Sequence, residues 1–442
     1  MNALRIWADN FTPLRSRNVR IYLAGQGVSL VGTFLQQTAL GLLVYHLSGG
    51  EAAPLGVLSF CTALPLLLFS PFTGGLADRF PRRWLMAGCA IVQMGVAISL
   101  ALLSHTGAVQ LGHIYALALV LGTAQSVNMP AQQAFCFDLA GIDQIRKLVS
   151  INSMVLNISR TGGPALAGYL VARFGVEVAF WQNGLSFSAV LLSLWAVRLV
   201  AAPRGAAAAN PDLLATLRQV AGSTPLRSLY ACSAILHLFG LAMLQMTPAL
   251  THGDARETGL VLGAAGGGSL VYAVLLSPFF GRLRRVGLAL CLSLVWMGGW
   301  LTVAALSQSL AWRMGAMFLF GLATSMAMVG CTGTMQFIAP AASRGRLMGL
   351  FGMVGFGGQP FATLGVGLLA DRFGPAPAVA ATGIAAALLA LLVLSQRGWA
   401  SWTPDAPSSV NEARPDRSTP RTPTGRAGSR TPGPIAARSG SR

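Results

Sequence analysis

Charge is what this chain lacks most. Only 10% of its 442 residues are Asp, Glu, Lys or Arg, against about 25% in a soluble domain. Lysine is nearly missing, since Lys147 stands alone among 31 basic residues. It is flanked by Arg146 and Leu148, so the G-x-x-x-x-G-K-[ST] loop that cradles nucleotide phosphates is not present. The zinc-binding word H-E-x-x-H is missing too. No nucleophile–base spacing stands out, so neither an enzyme, a metal nor a cofactor is expected. The 52 Gly and 23 Pro do not spell collagen or disorder, because they sit among Leu, Ala, Val and Phe. What is there is apolar: 54% of residues are hydrophobic and the mean hydropathy is +0.61. The chain reads as a polytopic helical membrane protein.

A helix that crosses a bilayer needs ~20 mostly apolar residues. Twelve such runs are legible, near 19–46, 54–77, 84–104, 112–136, 148–172, 178–198, 228–250, 258–280, 286–307, 311–336, 346–370 and 376–396. The first follows Arg15, Arg17 and Arg20 but has no small-residue cleavage site, so it reads as a retained helix. With the N-terminus placed inside, the inner loops carry 18 Arg and Lys and the outer loops four. Cytoplasmic loops hold the excess of Arg and Lys, so both termini are expected in the cytoplasm. The net charge of +18 is then largely an orientation signal, and no nucleic-acid partner is expected. Trp84, Trp181, Trp195 and Trp312 fall near span ends, the level that indole rings favour. The six cysteines lie in or at the edges of spans, with no pair in an outer loop, so disulfides are not expected.

The organisation is two halves and a tail. Residues 1–18 form a cytoplasmic N-terminus. A six-helix bundle at 19–199 is joined by a cytoplasmic central loop at 200–227 to a second at 228–396. Ser70-Pro71-Phe72 closes span two and Ser277-Pro278-Phe279 closes span eight. Arg173-Phe174-Gly175 ends span five and Arg372-Phe373-Gly374 ends span eleven. Internal repeats of this kind mark secondary transporters, whose substrate sites lie at the midplane between repeats. Residues 397–442, rich in Pro, Ser, Thr and Arg, cannot bury a core and read as a disordered basic tail.

Two stretches carry concentrated signals. After span two comes Gly74-Gly75-Leu76-Ala77-Asp78-Arg79-Phe80-Pro81-Arg82-Arg83. An Asp at a helix end meets an Arg, or the positive N-terminus of a neighbouring helix, and a contact made in one conformation and broken in another is a gate. Span five carries Asn157, Arg160, Gly163, Pro164 and Gly168. Glycines and a proline there permit a bend and close packing. A charge at mid-span is costly and faces a cavity or a partner.

The G-x-L-A-D-R-x-x-R-R word resembles motif A of the major facilitator superfamily, and so does the six-plus-six layout. The resemblance implies a cytoplasmic gate latch for Asp78 and Arg79, supported by Gly75 and Arg83. The second-half counterpart, Gly281 to Arg285, lacks the acid. Arg160, Gly163, Pro164 and Gly168 are similar to motif C, associated with exporters. The usual Gly-Pro-x-x-Gly-Gly ending is replaced here by Gly-Pro-Ala165-Leu166-Ala167-Gly168. With the opening of span one and Pro130-Ala131 in span four, the chain resembles the enterobactin-exporter and macrolide-efflux branch. The implied fold is all-α, with twelve transmembrane helices in two six-helix bundles.

Gln26, Ser29, Thr33 and Gln36 follow helical i, i+3, i+4 steps and share a face of span one. They either line a cavity or bond helix to helix. Asn157, Arg160 and His237 join them as candidate cavity residues. None of the 13 acids sits at mid-membrane. His237 is the one mid-span histidine, and imidazole is the side chain that changes charge near neutral pH; it is either a proton carrier or a satisfied core residue. Arg160 without an accompanying acid favours neutral or anionic amphipathic substrates.

The expectation is an inner-membrane secondary transporter, monomeric in the lipid bilayer. It exports a small molecule such as a drug, macrolide or siderophore by alternating access, with protons as the coupling ion. A nutrient importer of the same superfamily and a non-transporting sensor or scaffold are the alternatives.

Overall fold

In hydrocarbon every backbone N–H and C=O must find its partner within the chain, and the described regular structure is helical throughout. A computed structural model describes residues 11–197, 213–277, 285–340, 343–396, 398–400 and 402. The side chains of Gly75, Asp78 and Arg79, the expected gate residues, lie outside the described residues, as do the second-half counterpart at 281–284 and most of the tail.

The first half holds α1 (Arg17–Leu47), α2 (Ala53–Arg79) and α3 (Arg82–His105). It continues with α4 (Leu111–Gly141), α5 (142–174) and α6 (Val176–Ala196). A short helix, α7 (Leu213–Gly222), lies within the expected central loop. The second half holds α8 (Thr224–Leu250), α9 (Ala255–Leu276) and α10 (Val286–Leu306), then α11 (Leu310–Ile338), α12 (Arg344–Phe373) and α13 (Pro375–Leu394). Among the described residues nine helices are long and apolar enough to cross a bilayer; α2, α5 and α6 are not among them. The apolar stretch described in α2 ends at Phe69. Lys147, Asn152, Asn157 and Arg160 interrupt α5, and Gln182 and Asn183 interrupt α6.

The repeated words mark repeated geometry. Gly175 joins α5 to α6 with φ 87° and ψ 167°, and Gly374 joins α12 to α13 with φ 92° and ψ 154°. Side chains with a Cβ are essentially excluded from that region, so both corners require glycine. The halves are thus alike at matching places, and their packing is pseudo-symmetric. A third corner, Gly141 at φ 68°, separates α4 from α5.

Call the end where α1 begins proximal and the other distal. Each half packs on itself, and the halves meet where α2 crosses α12 and α5 crosses α9. Glycines set both crossings. A methyl group at Gly168 would stand 2.7 Å from the Gly259 Cα, and one at Gly367 would stand 2.8 Å from the Ala53 Cα. The cores follow the same division. Tyr22, Met86, Phe135, Leu148, Phe187 and Leu194, all from proximal portions of the first half, form a core of their own. Distal residues of the first half, such as Val44, Leu55, Leu100, Ile114 and Phe180, share one core with the second half. The halves are therefore fused at the distal end, while the first half keeps a separate core at the proximal end.

The proximal end also holds the last described residues. Gln396 accepts a hydrogen bond from Ser228 Oγ (2.8 Å). Trp399 is buried and stacks on Trp402 with ring centroids 5.9 Å apart.

Candidate functional site

Between the halves lies a cavity of about 440 Å³. Both contribute to its wall: Thr33, Gln36 and Gln37 from α1, Gln93 from α3, Gln125 from α4 and Arg160 from α5, then Gln245 from α8, Ser269 from α9, Thr324 from α11 and Gln359 from α12. Thr38, Ser59, Thr62 and Asn183 add further polar groups, and the rest is apolar, including Phe34, Leu66, Leu241 and Phe320.

The polar groups fall into two sets. Some are spent on the fold. Asn183 Nδ2 donates to Gln36 Oε1 (2.8 Å), tying α6 to α1. Gly32 makes room for that contact, since a methyl group there would stand 2.6 Å from Asn183 Oδ1. Thr33 donates to the Ser29 carbonyl (2.9 Å) and Ser269 to the Gly321 carbonyl (3.0 Å). The second set faces the cavity unspent. Among the described residues the side chains of Arg160, Gln93, Gln125, Gln245 and Gln359 have no hydrogen-bond partner, and Arg160 has no ion pair. Among the described residues no Asp, Glu or Lys is in the wall, so Arg160 is the single charge there.

Of the expected cavity residues, Thr33, Gln36 and Arg160 stand in the wall, with Pro164 from the exporter-like motif beside them. Gln26 and Ser29 are buried outside it. Asn157 Nδ2 donates to the Ser153 carbonyl (2.9 Å) of its own helix. His237 is buried where α8 loosens into a π turn, Leu236–Gly240. Its Nδ1–H donates to the Ser233 carbonyl (2.8 Å), and its ring packs against Gly355 of α12. Gly163 receives Phe34 of α1, and Gly168 receives Gly259 of α9. These two motif glycines therefore act through helix packing. Among the described residues no group of three His, Cys, Asp or Glu could hold a metal ion.

At the proximal end, Arg83 Nη2 donates to the Trp195 carbonyl (2.9 Å), joining α3 to α6. Its neighbour Arg82 pairs with Asp138 of α4 at 2.5 Å and donates to the Ala134 carbonyl (3.1 Å). At the distal end stands a contact that the sequence reading missed. Asp371, near the end of α12, accepts from the Ala52 N–H (2.5 Å) and the Ala53 N–H (3.0 Å) at the start of α2. The first N–H groups of a helix have no partner within it. Here the second half supplies one to a helix of the first. The corresponding helix of the second half, α9, is capped by its own Asp254, which accepts from the Glu257 N–H (2.6 Å).

The profile of the family described as "Transmembrane secretion effector" matches residues 8–414. An uncharacterized MFS-type transporter, YfiS of Bacillus subtilis (strain 168), is 32% identical over 172 residues, covering 38% of this chain and 40% of that protein. The Staphyloferrin A transporter of Staphylococcus aureus (strain NCTC 8325 / PS 47) is 28% identical over 180 residues, covering 40% of this chain and 44% of that one. The matched region thus spans about two fifths of either relative's length. Among solved structures, a bacterial homologue of the iron transporter ferroportin in an inward-facing state superimposes with a TM-score of 0.67 at 15% identity. It covers 86% of this chain and 99% of that one. These matches carry the superfamily and its fold; they do not single out the enterobactin-exporter and macrolide-efflux branch.

Proposed function

We infer, from the premise that the chain belongs to the transmembrane secretion effector family of major facilitator superfamily transporters, that it exports a small amphipathic molecule across the plasma membrane. Transporters of this superfamily work by alternating access, and they are carriers rather than enzymes. The observation that carries the reading is the central cavity, walled by both halves, beside a distal end where those halves share one core. The proximal end carries the Arg and Lys excess, so it is assigned to the cytoplasm with both termini. On this assignment the fold rests with its outward side closed. The twelve runs of the sequence are then twelve spans in two six-helix bundles, working as a monomer.

Export, rather than uptake, is supported by the exporter-like Gly163-Pro164 and Gly168 in α5. The siderophore transporter among the relatives supports a metal-chelating or drug-like amphiphile as cargo. Energy is assigned to proton antiport. Everted membrane vesicles test direction and coupling together. With an acidified lumen they should accumulate a labelled siderophore or macrolide, and collapse of the pH gradient should release it. Accumulation by right-side-out vesicles in place of everted ones would overturn export in favour of import. Indifference of transport to the pH gradient would overturn proton coupling.

A further inference from the structure

We propose that Arg160 and Gln359 form a carboxylate-binding pair in the central cavity, so that the cargo is an amphipathic organic anion. The proposal deepens the export reading and rests on it for the direction of transport.

The first ground is charge. A cation within the membrane is costly and is retained facing a partner or a cavity. Arg160 lines the cavity, has no side-chain hydrogen bond or ion pair among the described residues, and shares the wall with no Asp or Glu among them. The protein brings a positive charge to its centre and leaves the counter-charge to be supplied. A guanidinium presents a planar fork that matches a carboxylate through two parallel hydrogen bonds. Among the described residues no carboxylate waits in the wall for a cationic cargo.

The second ground is the repeat. When Arg173-Phe174-Gly175 is laid on Arg372-Phe373-Gly374, Arg160 of α5 falls on Gln359 of α12. The same alignment lays Gly168 on Gly367, the two glycines that set the crossings between halves. Arg160 and Gln359 are therefore one repeat position seen twice, and both copies line the same cavity. One copy brings charge. The other brings an amide with a donor and an acceptor, and that side chain has no partner among the described residues.

The third ground is coupling to the conformational cycle. A methyl group at Gly266 of α9 would stand 2.5 Å from the Thr161 Cα and 3.0 Å from the Arg160 carbonyl. The backbone that carries Arg160 is thus pressed against the other half. An anion held by Arg160 from one half and Gln359 from the other meets a different site once the halves re-pivot, and differential affinity is what lets a ligand shift a conformational equilibrium. Phe34, Leu66 and Phe320 give the apolar body of such an anion its surface.

The test uses the full-length protein in lipid nanodiscs and three isosteric probes: 1-naphthoate, 1-naphthamide and 1-naphthylmethylamine. Naphthoate should bind by calorimetry and raise Tm, while the amide and the amine should do so at least tenfold more weakly. Arg160→Gln should weaken naphthoate binding by at least tenfold, equivalent to about 1.4 kcal/mol, and Arg160→Lys should recover part of the loss. Gln359→Leu should weaken it about three- to fivefold without altering the preference for the anion. If Arg160→Gln does not fold, the three-probe comparison on the unaltered chain still decides. Failure of naphthoate to bind, equal binding of the amide, preference for the amine, or unchanged affinity in folded Arg160→Gln would each overturn the pair. The vesicle assay keeps the two readings apart. Naphthoate that binds through Arg160 yet is not accumulated by everted vesicles refutes export and leaves the site standing. Accumulation of the amine with Arg160 dispensable refutes the site and leaves export standing.

Discussion

Replacing Asp371 should loosen the distal closure by a calculable amount. Its two carboxylate oxygens take the Ala52 and Ala53 N–H groups, at 2.5 and 3.0 Å, across the boundary between halves. Loss of a helix N-cap costs about 0.5–2 kcal/mol, and a negative charge beside a helix N-terminus adds about 0.3–1 kcal/mol when exposed. Asp371 is exposed, so water screens part of this and re-solvates the freed donors. Asp371→Ala should therefore shift the balance between distal-closed and distal-open forms by about 1–2 kcal/mol, a factor of about 5 to 30. Asp371→Asn keeps one acceptor oxygen and should cost about half of that. The contact exists only while α2 and α12 meet, so the whole effect falls on the closed form. Spin labels at Thr106 and Ser309, both exposed at the distal end on opposite halves, would report the distance between halves by pulsed electron resonance, on a background with the native cysteines replaced. The Asp371→Ala population should move toward longer distances. Asp254→Ala is the control, because it removes an equivalent cap that α9 receives from its own half. It should lower Tm without lengthening the distance. An unchanged distribution in folded Asp371→Ala, or an equal shift in Asp254→Ala, would refute the latch.

Three further outcomes are expected. Gly168→Leu should lower Tm in detergent and impair transport, because its Cβ would stand 2.7 Å from the Ala255 carbonyl and overpacking costs about 1–3 kcal/mol. Gly95→Ala, where a methyl group meets nothing within 4 Å, should be neutral in both measurements. The Arg82–Asp138 pair, with side chains 22% and 15% exposed, should lose about 1–2 kcal/mol on either alanine substitution. In an unfolding titration the double variant should cost less than the sum of the singles, which additivity would contradict. Asn183→Leu should cost about 1–3 kcal/mol by stranding Gln36 Oε1. Adding Gln36→Leu should return part of that stability, and a further equal loss would show the bond to be idle.

What was legible in the sequence is what the bilayer dictates. Apolar runs became helices because hydrocarbon leaves the backbone no alternative. Repeated Arg-Phe-Gly words became matching corners because only glycine accepts φ near +90° with extended ψ. Arg160 stood out because one charge in an apolar run has few destinations. The α1 stripe was legible as a face but not as a depth. Thr33 and Gln36 reach the cavity, while Gln26 and Ser29, on the same face and nearer the proximal end, are packed. Gln93 gave no periodic signal, being the lone amide of its helix, and Gln125 was not set apart from Asn128, Gln132 and Gln133 of α4. Asp371 was the least legible. An acid at a helix end reads as solvated, and the donors it caps lie 319 and 318 residues earlier in the chain.

The two halves are most informative where they stop matching. Gly168 and Gly367 keep equivalent crossings, and Gly175 and Gly374 keep equivalent corners. A symmetric pair of crossings can rock about the centre but gives no reason to favour one direction or one charge of cargo. Two departures supply what symmetry withholds. The start of α2 is capped from across the boundary, whereas the start of α9 is capped within its own half. Opening the distal end therefore strips a cap from α2 alone and biases the resting state toward closure. At the cavity, the repeat position is Arg160 in one half and Gln359 in the other. A second arginine there would set two like charges in one cavity, and a second glutamine would leave none. One of each is the arrangement that holds a single anion between halves and releases it when they part.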